Sequence, residues 1–165
     1  MDVRRIGAHE WGELRDLRLR ALQDAPDAFG STHAEESART DARWMEWATA
    51  LADGPSFGAV AVVDDRWVGM AVGAPHRDHP GEAGLFGMWV APDERRTGIG
   101  HDLVEQVVRW ARSEGFPVLR LLVTLTNDGA MHLYERCGFV DGGVRLPLRA
   151  DSGVTTASMT MDLRS

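Results

Sequence analysis

A hydrophobic stretch, Leu85-Phe86-Gly87-Met88-Trp89-Val90, passes almost directly into "PDERRTGIGHDLVEQVVRWAR", residues 92–112. No other part of the chain narrows its fold so far. Beyond the glycine-containing junction, Ile99, Leu103, Val104, Val107, Val108 and Ala111 recur at helical spacing, which predicts a helix with one apolar face. Gly115 and Pro117 end that helix. Residues 118–125 then form a nearly continuous apolar run, as expected of a strand buried on both faces. A strand, a tight turn, an amphipathic helix and a buried strand require an α/β sheet with helices packed over it.

The rest of the chain extends that sheet. Residues 1–6 read as a short first strand. Trp11, Leu14, Leu17, Ala21 and Leu22 recur at helical spacing between His9 and about Asp24, and Trp44, Met45, Ala48 and Leu51 mark a second helix over 42–52. Between them "DAPDAFGST" breaks the pattern with Pro26 and Gly30. The β-branched-rich runs 57–63 and 67–74, joined by Asp64-Asp65-Arg66, read as a hairpin. Residues 127–137 read as a short helix with Gly138 at its C-terminal cap, and 139–148 and 154–163 as two last strands. The order is therefore a strand, two helices, three strands, a helix, a strand, a helix and two strands, with helices on both faces. No repeat, low-complexity tract or linker divides the chain, so 1–165 reads as a single domain.

Composition excludes several functions. A net charge of -7 does not suit nucleic acid, whose phosphates need a basic face. All 18 basic residues are arginine, so a Schiff-base lysine and a phosphate-loop lysine are both impossible. The single cysteine, Cys137, cannot form an internal disulfide. No apolar run approaches the ~20 residues of a membrane span, and the first residues lack the apolar centre of a signal peptide. A cytoplasmic location with no membrane partner is the expectation.

The glycine junction is a good anion site. The first turn of a helix leaves N–H groups unpaired, and the helix dipole favours negative charge there. Gly98 and Gly100 would let a diphosphate approach the backbone, with Arg95 and Arg96 adding charge. A dinucleotide fingerprint needs a third glycine where this chain has Leu103, so that spelling fails. What remains is R-x-x-G-x-G. Some thirty residues on, "NDGAMHLYERCGF" begins with Asn127, which can cap its helix, and places the lone tyrosine, Tyr134, on the same helical face seven residues later.

The two segments together, "GMWVAPDERRTGIG" and then N-x-x-A-x-x-L-Y-x-x-x-G-F, resemble the GNAT superfamily of acyl-CoA-dependent N-acetyltransferases, in order, spacing and secondary structure. The resemblance implies a mixed, largely antiparallel sheet of six to seven strands whose central parallel pair splays to admit the cofactor. It implies acetyl-CoA as acyl donor, with no metal, and a primary amine of a small molecule or peptide as acceptor. The amine would attack directly, through a tetrahedral intermediate. The backbone of Met88, Trp89 and Val90 would pair with the pantetheine arm. The loop Arg95, Arg96, Thr97, Gly98, Ile99 and Gly100 would hold the pyrophosphate. Asn127 would bond the pantetheine arm, and Tyr134 would stand near the sulfur as general acid. Arg96 departs from the pattern, since the family commonly has glycine there. A non-catalytic acyl-CoA sensor and an acyltransferase for longer chains are the alternative readings. A homodimer is common in such proteins.

An alkyl amine, with a pKa near ~10.4, must lose a proton before it attacks. Residues 83–90 carry no acid, so Glu82 at the strand's start is the candidate base, with His76, Asp78, His79, His33 or a water relay as alternatives. Two histidines and one acid at 76–79 are too few for a metal site. Phe29, Trp44 and Trp47 are the expected acceptor-pocket lining, near the "PLRADSG" loop. Glu35, Glu36, Asp41 and Glu46 would favour a cationic amine.

Overall fold

The computed structural model describes residues 1–164. Its strands are β1 (Asp2–Arg5), β2 (Phe57–Val63), β3 (Arg66–Pro75), β4 (Ala83–Val90), β5 (Val118–Thr124), β6 (Val140–Pro147) and β7 (Thr155–Asp162). Its α-helices are α1 (Trp11–Asp24), α2 (His33–Ser37), α3 (Asp41–Asp53), α4 (Ile99–Ser113) and α5 (Asp128–Cys137). The strands form one seven-stranded sheet in the order β1-β2-β3-β4-β5-β7-β6. Every neighbouring pair is antiparallel except β4 and β5, which run parallel. This is the mixed, largely antiparallel sheet that the resemblance implies.

Helices cover both faces, and small residues let them approach. A Cβ on Gly73 would stand 2.7 Å from the Trp110 ring of α4, whereas one on Gly58 would stand 2.9 Å from Leu51 of α3. Gly73 pairs with Phe57 and Gly58 with Val72, so the two glycines open opposite faces. Under α4, Leu103, Val104, Val107, Val108 and Ala111 are buried, as their spacing predicts. Under α1 and α3 lie Leu14, Leu17, Ala21, Leu22, Ala48 and Leu51.

No periodic signal in the sequence marks α2. Thr32 caps this five-residue helix by accepting from the Glu35 N–H at 3.1 Å, and its one buried side chain is Glu36. A helix whose buried face is a carboxylate has no apolar period to read. Among the described residues no helix is long and apolar enough to cross a membrane.

The central parallel pair is barely paired. Ala83 faces Leu119 and Gly84 faces Arg120, and no further register joins β4 to β5. The cause lies on the other edge of β4. Met70 faces Trp89 but Val72 faces Phe86, so β4 carries extra residues opposite Ala71. Gly87 sits in this bulge at φ 60, a left-handed conformation that costs glycine little. A bulge bends its strand and increases the twist, which turns the end of β4 away from β5. The result is a cleft that opens toward the C-terminal ends of the two strands, where ligands of such sheets collect.

Candidate active site

Two helices begin at the open end of the cleft, α4 after β4 and α5 after β5. The loop between β4 and α4 turns through left-handed backbone at Arg96, φ 67, and at Gly98, φ 89. Gly98 is the N-cap of α4 and has no side chain to cap it, so among the described residues no side-chain cap meets the first N–H groups of the helix. Arg96, Thr97 and Gly98 are exposed, while Ile99 anchors the helix in the core. A Cβ on Gly100 would stand 3.0 Å from Leu133 and 3.3 Å from Met88, so this glycine lets α4, α5 and β4 meet. The loop is an uncapped, solvent-facing cradle of N–H groups at a helix start, which fits a pyrophosphate.

The two arginines of the loop differ. Arg95 folds back along the surface: its Nε donates to the Val90 carbonyl at 2.9 Å and its Nη2 to Asp24 at 2.8 Å. Asp24 also accepts from the buried Trp89 indole at 3.0 Å. Arg95 therefore ties the loop to α1 and occupies one backbone group of the Met88–Trp89–Val90 segment. The Thr97 hydroxyl likewise donates to the Glu94 carbonyl, at 2.6 Å. Arg96 stays exposed in a backbone conformation that costs a non-glycine residue about 1–2 kcal/mol. Arg96→Gly should raise unfolding stability by up to ~1 kcal/mol, the relief being partly offset by the freer unfolded chain. A thermal melt checks this, and a clear loss of stability would contradict the strain.

Asn127 caps α5 by accepting from the Ala130 N–H at 3.1 Å, which occupies its carboxamide oxygen. Its amide nitrogen has no protein acceptor among the described residues. Tyr134, one face along α5, is 6% exposed and lines a cleft of about 500 Å³ with Leu85, Gly87, Met88 and Leu121. Its hydroxyl has no protein partner among the described residues. Burial pushes the phenol well above its ordinary value of 10.0, with Cys137 adding to the shift. Tyr134 therefore keeps its proton at neutral pH. Burial also pushes the Cys137 thiol up to about 11, which leaves it protonated and a poor nucleophile. The exposed Phe86 and Leu122, 43% and 47% accessible, line this same cleft.

A second cleft, of about 680 Å³, opens beside the first between α1, α2, α3 and the β3–β4 edge. Trp47 lines it and Phe29 lines the Tyr134 cleft. Trp44 lines neither: at 1% exposed it packs in the core behind Trp47, ring centroids 5.8 Å apart. Glu82 also stands back from both walls. Its Oε1 accepts from Arg120 Nε at 3.0 Å and Nη2 at 2.9 Å, and Arg120 faces the cleft. His76, whose N–H donates to the Glu82 carbonyl, does reach the wall. Burial and the neighbouring His79 hold His76 below its ordinary 6.5, and its Nδ1 accepts from the Asp78 N–H at 3.1 Å.

Arg18 lines both clefts and is a functional residue not expected from the motifs. The signal was present: Arg18 lies four residues from both Leu14 and Leu22, an arginine inside the buried stripe of α1. Its Nε and Nη2 each donate to Glu36 at 2.9 Å.

Comparison with known proteins agrees with this geometry. The model of the acetyltransferase (GNAT) family matches residues 13–139, more than half of the chain. The "Probable N-acetyltransferase camello" of Xenopus laevis is 31% identical over 115 residues, 70% of this chain and 52% of that protein. The ribosomal protein bS18-alanine N-acetyltransferase of Salmonella typhimurium is 35% identical over 82 residues, 50% of this chain and 53% of that protein. The chain thus spans about half the length of these curated relatives. Among solved structures, Salmonella typhimurium yncA with its cofactor acetyl-CoA superposes with a TM-score of 0.81 at 16% identity, covering 100% of this chain and 95% of that one. The family match spans the splayed strand pair and the glycine loop alike, and the chain belongs to the acetyltransferase (GNAT) family.

Proposed function

We propose that this chain transfers an acetyl group from acetyl-CoA to a primary amine of a small molecule or peptide. The observation that carries the reading is the divergence of β4 from β5 after Gly84 and Arg120, with the glycine loop at its open end and Tyr134 on its wall. Acetyl-CoA supplies an activated acyl carbon and a thiolate leaving group. The N–H groups of the 95–100 loop receive its pyrophosphate. The free edge of β4 at Met88 and Trp89, together with the Asn127 amide, receives the pantetheine arm. A backbone N–H at the Gly87–Met88 bulge faces the acyl oxygen as negative charge develops there. The C–N bond forms, the C–S bond breaks, and Tyr134 gives its proton to the departing sulfur.

A thiol, at about 8.5, is more acidic than even an ordinary phenol at about 10, so the sulfur can leave before proton transfer is complete. Tyr134→Phe should therefore lower kcat by about 10- to 100-fold without abolishing it. The melting temperature and the KM for acetyl-CoA should change little, because the hydroxyl has no protein partner to lose. A full wild-type kcat would remove Tyr134 from the mechanism.

The amine's proton leaves through water toward the closed end of the cleft, where Arg120 and Glu82 form their ion pair and His76 reaches the wall. Glu82 then acts through that relay and not by contact. Glu82→Gln should cost tenfold or less in kcat, whereas a loss of ~10³-fold would make it a direct base.

The reaction is tested by incubating the protein with acetyl-CoA, longer acyl-CoAs and a panel of amines while following free thiol and product mass. Amine-dependent thiol release with a product heavier by one acetyl group is the expected result. Binding without turnover on any amine would favour a sensor, and faster turnover with a longer acyl chain would change the donor.

A further inference from the structure

We propose that the acceptor amine carries a carboxylate, and that Arg18 holds this carboxylate beside the β4 bulge; the proposal rests on the acetyl transfer above. Arg18 Nη1 is buried and is the one such side-chain nitrogen or oxygen without a hydrogen-bond partner among the described residues. The rest of the guanidinium is fixed. Glu36 takes the Nε and Nη2 edge, and the Phe29 ring lies under the plane, 4.7 Å from the central carbon. The side chain is only 12% exposed. An unpaired N–H on a buried cation is costly, and a planar anion supplies the acceptor it lacks.

The position of that nitrogen matters more than its burial. Arg18 faces both clefts, and a Cβ on Gly87 would stand 3.4 Å from Nη1. An anion on Nη1 therefore lies against the bulge where the acyl carbonyl is placed. In an α-amino acid the nitrogen stands only ~2.5 Å from the carboxylate carbon. A carboxylate on Arg18 thus carries an α-amine to the bulge. A peptide N-terminus has a neutral carbonyl at that distance, and a polyamine has no anion at all.

The wall of the larger cleft has the matching charge. Arg18, Arg39, Arg43 and Arg77 line it against Glu36 and Glu46. Glu36 is occupied by Arg18 and, at 3.6 Å, by Arg39. Arg43 and Arg77 have no ion-pair partner among the described residues. In a chain of net charge -7, this local excess of arginine draws anions and disfavours polycations. The acids that in the sequence suggest a cationic acceptor are in part the partners of these arginines.

The test uses the whole protein saturated with coenzyme A. L-leucine, L-phenylalanine and L-glutamate, their α-carboxamides, a dipeptide amide and spermidine are titrated calorimetrically, and each is then assayed with acetyl-CoA for thiol release. At least one free amino acid should bind about ten- to hundredfold more tightly than its carboxamide and be acetylated preferentially. Arg18→Lys, which keeps a charge beside Glu36 but loses the Nη1 fork, should erase that preference while still binding acetyl-CoA. Equal binding of acid and amide, preference for spermidine or the dipeptide amide, or binding of none of them would overturn the carboxylate site. Acetylation of the amides at undiminished rate would do so while leaving acetyl transfer intact. Tight binding of the free acids without thiol release would support the carboxylate site and count against acetyl transfer.

Discussion

Gly98→Val should weaken acetyl-CoA binding about 100-fold or more while leaving the protein folded. Gly98 caps α4 at φ 89 and ψ -4, and a Cβ there would meet nothing within 4 Å. The substitution therefore causes no clash. Its cost is conformational, since a β-branched residue is a genuine outlier in left-handed backbone. The loop relaxes by turning the peptides around residue 98, and the N–H groups that form the cradle turn with them. A strain of ~2 kcal/mol is tolerable against the ~5–15 kcal/mol of a typical domain. A cradle whose N–H groups no longer converge loses the charge-assisted bonds that dominate binding of a diphosphate. Calorimetry with acetyl-CoA and a melt on the same sample separate the two effects. Unchanged affinity would show that the pyrophosphate lies elsewhere.

The second large effect is on stability. Glu36→Ala should cost about 3–5 kcal/mol, because it leaves the Arg18 guanidinium buried without its counter-ion. Glu36 is 1% exposed and accepts from Arg18 at 2.9 Å on both oxygens. The pair also joins α2 to α1 through the one buried side chain of α2. For a domain of this length the melting temperature should fall by roughly 6–20 °C. Glu36→Gln, which keeps the shape and two polar atoms, should cost less. A change below ~1 kcal/mol in the alanine variant would mean that water reaches Arg18 freely.

Gly98 and Glu36 mark what the sequence could and could not show. Gly98 was legible because a strand, a glycine turn and an amphipathic helix each leave a periodic or positional mark. The splayed pair followed only through the resemblance, since the bulge at Gly87 leaves no periodic signal and its φ of 60 is a property of the folded chain. The pairing of Glu36 with Arg18 was hidden for the opposite reason. A buried ion pair puts charged letters where the period leads one to expect apolar ones, and it joins residues 18 positions apart. Trp44 and Trp47, three residues apart on α3, look alike in sequence, but packing buries one and leaves the other on the wall. Arg95 was legible as a charge beside the loop but not as the strut between Val90 and Asp24. Such roles depend on distant partners, and local spelling does not carry them.

The central claim is that the cleft between β4 and β5, closed at Gly84 and opening onto the Gly98 loop, receives acetyl-CoA. Calorimetric titration of acetyl-CoA into the wild-type protein tests it directly. One site per chain with a dissociation constant of ~1–100 µM is the predicted result. No detectable binding at millimolar acetyl-CoA would contradict it.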